Sequence, residues 1–101
     1  TAWRWLPNES STAAPITPPN FPSSTTVAAT FDPDAAYHVG RALGTEVKDY
    51  GMDVLLAPGV NLMRNALCGR NHEYYAEDPV LVGKIAAATS TASRAKVPAP
   101  A

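Results

Sequence analysis

The pattern of hydrophobic and polar positions predicts one long helix in the first half of the chain. Apolar residues recur at helical spacing from residue 36 to residue 50, and most charged residues between them fall on the opposite side. Asp32 and Pro33 form a helix start, because an aspartate accepts from exposed amides and proline suits the first helical position. Gly51 then provides a helix stop. Gly40 and Gly44 lie inside this helix, where we expect them to allow close packing on a sheet.

A short apolar run follows this helix and predicts a buried strand. Residues 52–57 read Met-Asp-Val-Leu-Leu-Ala and end at Pro58 and Gly59. Such a run is typical of a strand buried on both faces, and its succession after a helix is typical of a parallel α/β repeat. Asp78 and Pro79 repeat the helix-start pattern and predict a second helix. The elements are therefore helix, strand, long loop and helix, an α/β arrangement.

The flanking segments carry less pattern. Residues 1–20 have no sustained period and include a Ser/Thr/Pro/Ala-rich stretch, so we assign them no element. Trp3 and Trp5 could stack on a sugar, although isolated apolar residues in an irregular segment are the commoner case. Residues 23–26 are predicted to form a turn, followed by a short apolar segment. After Ala88 the second helix gives way to an atypical tail, residues 89–101.

Composition excludes several classes of partner. The chain has 101 residues and a net charge of −1, so we expect no nucleic acid and no membrane surface as partner. No apolar run is long enough to span a bilayer. Cys68 is the single cysteine, so an internal disulfide is impossible and the compartment stays undetermined. No phosphate-binding loop or nucleophile elbow is present, and we expect no cofactor.

The candidate chemistry lies in the loop of about twenty residues from 59 to 78. A loop this long within a compact α/β unit is commonly functional. Arg70 is the best candidate for ligand binding, because its planar guanidinium suits neighbouring hydroxyls or a carboxylate. The residues alone leave open a structural alternative in which Arg70 pairs with Glu73. Asn71 and Arg64 are candidates for supporting the loop.

We expect the other polar groups of the loop to have structural roles. Glu73, Glu77 and Asp78 invite assignment as a glycosidase carboxylate pair. We expect instead that Asp78 caps a helix, that Glu77 is solvated and that Glu73 orients Arg70 or loop amides. The spacing of Cys68 and His72 matches no metal-ligand pattern, so no metal site is predicted. Two adjacent tyrosines, at 74 and 75, are expected to pack the loop down.

These motifs together resemble a known family. Gly69-Arg70-Asn71-His72-Glu73, followed by Glu77-Asp78-Pro79, is similar to a stretch of the N-terminal domain of family 3 glycoside hydrolases, the β-glucosidase group. Collinear similarities extend from residue 21 to residue 88, in residues 21–22, 28–32, 40–44, 54–60 and 67–79. We therefore assign residues 21–88 to a partial domain of this family.

The resemblance implies a fold and an activity. It implies a TIM-barrel-like (β/α)8 domain, of which this chain would be an incomplete fragment because such a barrel needs about 250 residues. It implies retaining hydrolysis of O-glycosyl bonds in β-glucosides or related β-glycosides, with Arg70 binding hydroxyls of the first sugar. The family's other sugar ligands, its nucleophile and its acid/base residue find no counterpart here. No catalytic residue is assigned, and the remainder of the barrel and a C-terminal domain are expected in the parent enzyme.

The tail has a second reading in another frame. Back-translated with suitable synonymous codons and read from the third base of the Ala88 codon, it encodes Tyr-Ile-Asn-Gly-Ile-Gln-Ser-Lys-Gly-Ala-Gly-Thr-Ser. This resembles the family's continuation of the second helix. We therefore predict that residues 89–101 are frame-shifted. A shorter match of residues 15–19 to Tyr-Tyr-Ala-Thr suggests the same for residues 1–20.

Three functions follow from these observations. The first is a fragment of a retaining β-glucosidase that contributes part of the first sugar subsite and is inactive alone. The second is a non-catalytic carbohydrate-binding or interaction fragment that uses Arg70, Glu73 and the tyrosines. The third is a truncated product without function. A β-linked glucoside or oligosaccharide is the partner expected for the parent enzyme.

Overall fold

The computed structural model of the protein describes residues 20–95. Its helices are α1 (Ser24–Ala29), α2 (Pro33–Asp49), a short 3-10 helix (Asn71–Glu73) and α3 (Pro79–Arg94). The predictions for Trp3 and Trp5, for residues 15–19 and for the end of the tail lie outside the described residues. None of the helices in the described part of the chain is long and apolar enough to cross a membrane.

Both predicted helix starts are confirmed. Asp32 Oδ1 accepts a hydrogen bond from Asp34 N at 2.9 Å, and Asp78 Oδ1 accepts one from Val80 N at 3.0 Å. A proline occupies the first turn of each helix. These caps satisfy amides that have no partner within their helix, which is why the local sequence sufficed to locate both starts.

The prediction of a turn at residues 23–26 is wrong, because this stretch begins α1. Ser23 is its N-cap, and the Ser23 hydroxyl accepts a hydrogen bond from Thr26 N at 3.3 Å. Val27 and Ala28 bury the inner face of this helix. Six residues are too few to show a helical period, so the sequence pattern did not predict α1.

The strand predicted at residues 52–57 is not seen, since no strand forms between residues 20 and 95. The segment runs without regular structure, and Leu56 is 82% exposed. A strand exists only as part of a ladder, and no second segment within residues 20–95 pairs with this one. Val54 is 69% exposed as well, so the apolar run is not buried by the described part of the chain.

The core lies where α2 and α3 pack together, with α1 and the root of the long loop closing one side. Its buried members are Val27, Ala28, Ala36, Tyr75, Val82, Ile85 and Ala86. Gly40 and Gly44 are buried in α2, but the expectation of packing on a sheet is wrong for Gly40. Its neighbour is the backbone of Thr89 in α3.

Helix α3 continues beyond Ala88 into the atypical tail. It ends at Arg94, and Thr89, Ala92 and Ser93 are buried against the rest of the molecule. Alanine is the strongest helix former, and the small side chains of this stretch permit close packing. The described part of the tail is thus regular helix with two buried hydroxyl groups.

Candidate functional site

The long loop is closed by contacts between its two limbs and with α1. Met63 N donates a hydrogen bond to Ala76 O at 3.2 Å, which joins the limbs. The hydroxyl of Thr25 in α1 donates to Tyr74 O at 2.9 Å. The loop therefore has fixed attachment points on either side of the 3-10 helix that follows Arg70. Sequence reasoning missed Thr25, because its partner is 49 positions away in the chain.

Arg70 and Glu73 form an ion pair at the exposed tip of this loop. Arg70 Nε donates to Glu73 Oε1, and the two side chains are 72% and 18% exposed respectively. The three-residue spacing across one 3-10 turn brings these side chains together. The hydrogen bond to Glu73 and the charge of its carboxylate raise the pKa of Arg70, so the guanidinium is always charged.

The pairing leaves part of the guanidinium available. Glu73 engages Nε, whereas Nη1 and Nη2 form no hydrogen bond with any atom in residues 20–95. These terminal nitrogens carry four N–H donors in one plane. Arg70 can therefore pair with Glu73 and still bind a ligand. Glu73 holds one edge of the guanidinium, and the rest of it faces solvent.

Asn71 connects the site to the preceding part of the loop. Its Nδ2 donates to Asn65 O at 2.9 Å, and its backbone N donates to Cys68 O at 3.3 Å. The Oδ1 atom of Asn71 is buried without a partner in the part of the chain that the structure describes. Because Asn71 follows Arg70 directly, these bonds restrain the backbone from which the guanidinium extends.

Arg64 lies in a separate arrangement. Its Nη2 donates to Asn61 Oδ1 at 3.4 Å, and both residues are exposed. Neither Arg70 nor Glu73 is a hydrogen-bonding partner of Arg64. The structure thus places Arg64 in the same loop without joining it to the ion pair.

The remaining polar groups of the loop form no catalytic constellation among residues 20–95. Asp78 is engaged as the cap of α3, and Glu77 is exposed. His72 Nδ1 lies 3.1 Å from Gly69 O, a contact within the loop. Cys68 is exposed as a free thiol. The described residues contain no group of three side chains able to hold a metal ion.

Two buried tyrosines anchor the root of the loop. Tyr74 and Tyr75 are 7% and 4% exposed, and the Tyr75 hydroxyl donates to Thr89 Oγ1 at 3.3 Å. The Thr89 hydroxyl lies within reach of Ile85 O, at 3.1 Å, and of Ala36 O, at 3.4 Å. Burial raises the pKa of Tyr75, and the hydrogen bond with Thr89 lowers it to a smaller extent. The loop is thereby fixed to both long helices.

The comparison with protein families identifies the class to which this site belongs. Residues 15–98 match the glycosyl hydrolase family 3 N-terminal domain, and the chain belongs to this family. The matched range extends past residues 21–88 at both ends and includes most of the atypical tail. The recognition of the family from the Gly-Arg-Asn-x-Glu stretch is confirmed.

Curated relatives are β-glucosidases from bacteria and fungi. β-Glucosidase A of Butyrivibrio fibrisolvens is 53% identical over 68 residues, which are 67% of this chain and 8% of the relative. β-Glucosidase B of Emericella nidulans is 51% identical over 72 residues, 71% of this chain and 8% of the relative. The chain thus spans less than a tenth of the length of either relative.

Solved structures share the fold of this stretch. β-Glucosidase 3B from Thermotoga neapolitana, in complex with glycerol, is 47% identical and superposes with a TM-score of 0.73. The match covers 75% of this chain and 11% of that one, and the same values hold for the complex of that enzyme with α-D-glucose. The arrangement of helices and loop described above is therefore that of a segment of a family 3 enzyme.

Proposed function

We propose that this chain is part of a retaining glycoside hydrolase acting on O-glycosyl bonds of β-glucosides or related β-glycosides. Membership of the family supports the proposal, as do relatives that are named β-glucosidases. The chemistry would proceed through a glycosyl-enzyme intermediate on one carboxylate, with a second carboxyl group acting as acid and then base. Both groups belong to parts of the parent enzyme outside this chain.

Within that enzyme, Arg70 contributes to the first sugar subsite. The observation that carries this assignment is the guanidinium held at Nε by Glu73, with Nη1 and Nη2 exposed. A planar pair of donors at fixed orientation matches two neighbouring sugar hydroxyls. Asn71 and Glu73 keep the guanidinium in place, and Arg64 braces the preceding part of the loop.

The segment fits a (β/α)8 barrel that is completed by the rest of the parent protein. In such barrels the residues that bind substrate follow the carboxyl ends of the strands, and the site loop follows the apolar segment at residues 52–57. That segment would become a strand once neighbouring strands pair with it. Residues 20–95 form no such neighbouring strands, and we expect the 101-residue chain alone to be inactive.

A chimeric enzyme tests the role of Arg70 in a setting where catalysis is complete. Residues 20–95 would replace the matching segment of β-glucosidase 3B from Thermotoga neapolitana, and hydrolysis of a chromogenic β-glucoside would be measured. A hydrogen bond from a charged group contributes about 1.5–3 kcal/mol, so Arg70→Ala should lower kcat/KM roughly 10- to 150-fold. Arg64→Ala is the matched control and should change it little. An active chimera that is insensitive to Arg70→Ala would refute the assignment.

A non-catalytic carbohydrate-binding role is the second candidate, favoured by one observation. The site loop is closed by hydrogen bonds within the described part of the chain, including one from Thr25, and this supports a binding role for the chain by itself. The isolated chain should show no hydrolysis of the chromogenic substrate. Binding of glucose to the isolated chain, lost in Arg70→Ala, would favour this role. A chain without a cooperative unfolding transition would instead indicate a truncated product.

A further inference from the structure

The last turns of α3 leave a cavity against the extended segment that precedes the site loop. The cavity has a volume of about 230 Å³ and is lined by Leu55, Ala57, Ser90, Ser93 and Arg94. We call it the α3 cavity. Two serines of the helix thus face a leucine and an alanine of the segment. Ala57 and Arg94 are exposed, so the cavity is an open one at the surface, and it leaves space for larger side chains between helix and segment.

The two serines are poorly suited to this position. Ser93 is 5% exposed, and its hydroxyl donates to Ser90 O at 3.1 Å within its own helix. Neither serine makes a hydrogen bond to Leu55 or Ala57 across the cavity. A helix normally packs on a neighbouring segment through apolar side chains one or two turns apart, and positions 90 and 93 have that spacing.

The genetic code connects these two positions in a specific way. In the shifted frame, each codon consists of the last base of the preceding codon and the first two bases of the next one. A serine codon that begins with TC therefore gives a shifted codon that ends in TC. Such codons encode phenylalanine, leucine, isoleucine or valine and nothing else. If both serine codons begin with TC, the shift that gives the second reading of the tail places a large apolar residue at position 90 and another at position 93. With the synonymous codons chosen for the second reading, this residue is isoleucine at both positions.

Positions 91, 92, 94 and 95 follow the same pattern, whereas position 89 does not, because the second reading has tyrosine where Thr89 is buried. The second reading places asparagine, glutamine and serine at positions 91, 94 and 95, all of which are exposed in the structure. It places glycine at position 92, where Ala92 is 1% exposed and a small residue is required. Polar residues thus fall on the solvent side and apolar residues on the cavity side, which is the pattern of an amphipathic helix.

We infer that the α3 cavity is the packing site of two apolar side chains, at positions 90 and 93, which the second reading frame encodes. These side chains fix the segment at residues 55–57 against α3. That segment leads to Gly59, where an added Cβ would lie 3.2 Å from Glu73 O, so its placement also bears on the partner of Arg70. This packing does not depend on the sugar-binding role of Arg70.

Substitution in the 101-residue chain tests the packing site. The variant Ser90→Ile/Ser93→Ile should raise the midpoint of thermal unfolding by about 5 °C or more, because it buries apolar surface in the α3 cavity against Leu55. Thr91→Ile is the matched control, since it makes a similar change on the exposed side of the same helix, and it should leave the midpoint nearly unchanged. Position 89 is left intact, because Thr89 has its own hydrogen bonds to the core.

A third variant separates cavity filling from a change in helix propensity. Adding Leu55→Ala to the double variant should remove most of the gain, because Leu55 forms the opposite wall. Should the original chain melt without a cooperative transition, the double variant is expected to acquire one. A gain unaffected by Leu55→Ala, a lower midpoint, loss of helical circular dichroism, or no transition in either chain overturns the inference. So does a gene in which the serine codon at either position begins with AG.

Discussion

Gly40 of α2 and the carbonyl group of Thr89 in α3 approach so closely that no side chain fits between them. A Cβ atom built on Gly40 would lie 2.3 Å from Thr89 O and 2.9 Å from Thr89 Cα. Real Cβ atoms do not approach backbone atoms to that distance. Backbone atoms cannot rotate aside as a side chain would, so the absence of a Cβ at Gly40 sets the separation of the two long helices.

Gly40→Ala should therefore destabilise the chain although alanine is the better helix former. Alanine gains about 1 kcal/mol of helix propensity, and overpacking of a buried contact costs about 1–3 kcal/mol or more. Because the clash is with backbone, we expect the cost to prevail and the free energy of unfolding to fall by about 1–2 kcal/mol. Urea unfolding followed by circular dichroism measures this.

Gly83→Ala provides the matched control in α3. A Cβ built on Gly83 meets nothing within 4 Å, so only the propensity gain remains. This variant should be more stable than the parent by about 0.5–1 kcal/mol. If both glycine variants are stabilised alike, the proposed close contact between α2 and α3 is not present in solution.

Tyr75 should make the fold sensitive to alkaline pH. Burial raises the pKa of its phenol above the ordinary value near 10. The folded state consequently holds its proton more tightly than the unfolded state does. This contribution to stability is complete below the unfolded pKa and is lost as the pH rises through the folded pKa. The urea midpoint should fall above about pH 10.

Tyr75→Phe should reduce the fall of the urea midpoint at alkaline pH, because phenylalanine does not titrate. At pH 7 the variant should lose about 1 kcal/mol, since the hydrogen bond to Thr89 disappears. Tyr37→Phe is the control, because Tyr37 is 41% exposed on α2. If the urea midpoint of Tyr75→Phe falls at alkaline pH as steeply as that of the parent chain, groups other than Tyr75 cause the pH dependence.

Local chemistry determined which features could be predicted from sequence. The caps at Asp32 and Asp78 involve amides two residues away, so a short motif contains all of their partners. The pairing of Arg70 with Glu73 is local as well, which is why sequence reasoning could propose it as an alternative. Each of these features depends on residues that are neighbours along the chain.

Features that depend on distant partners could not be predicted in this way. The segment at residues 52–57 has the composition of a buried strand, but a strand also requires neighbours that the described residues do not supply. The bond from Thr25 to Tyr74 O joins residues far apart in sequence, and nothing near Thr25 indicates it. The glycine at position 40 was identified as a close-packing residue, whereas its actual partner became clear only from the position of α3.

Asp78→Ala should destabilise α3 and with it the root of the site loop. The substitution removes the side-chain acceptor for Val80 N and should cost about 0.5–2 kcal/mol of unfolding free energy. Asp78→Asn should cost much less, because asparagine caps helices nearly as well. Glu77→Ala, one residue away and exposed, should have little effect in the same chemical denaturation experiment. A loss in Asp78→Asn as large as in Asp78→Ala would show that charge, rather than capping, is the dominant contribution.

Glu73 should act on sugar recognition through Arg70, provided that Arg70 has the proposed role. In the chimeric enzyme, Glu73→Ala releases Nε, so the exposed guanidinium can rotate away and kcat/KM should fall about 10-fold, the equivalent of roughly 1.4 kcal/mol. Glu73→Gln keeps an acceptor for Nε and should retain most of the activity. Combining Glu73→Ala with Arg70→Ala should add little to Arg70→Ala alone, because a positioning residue has no effect once its partner is gone. Full additivity of the two losses would mean that Glu73 contributes independently of Arg70.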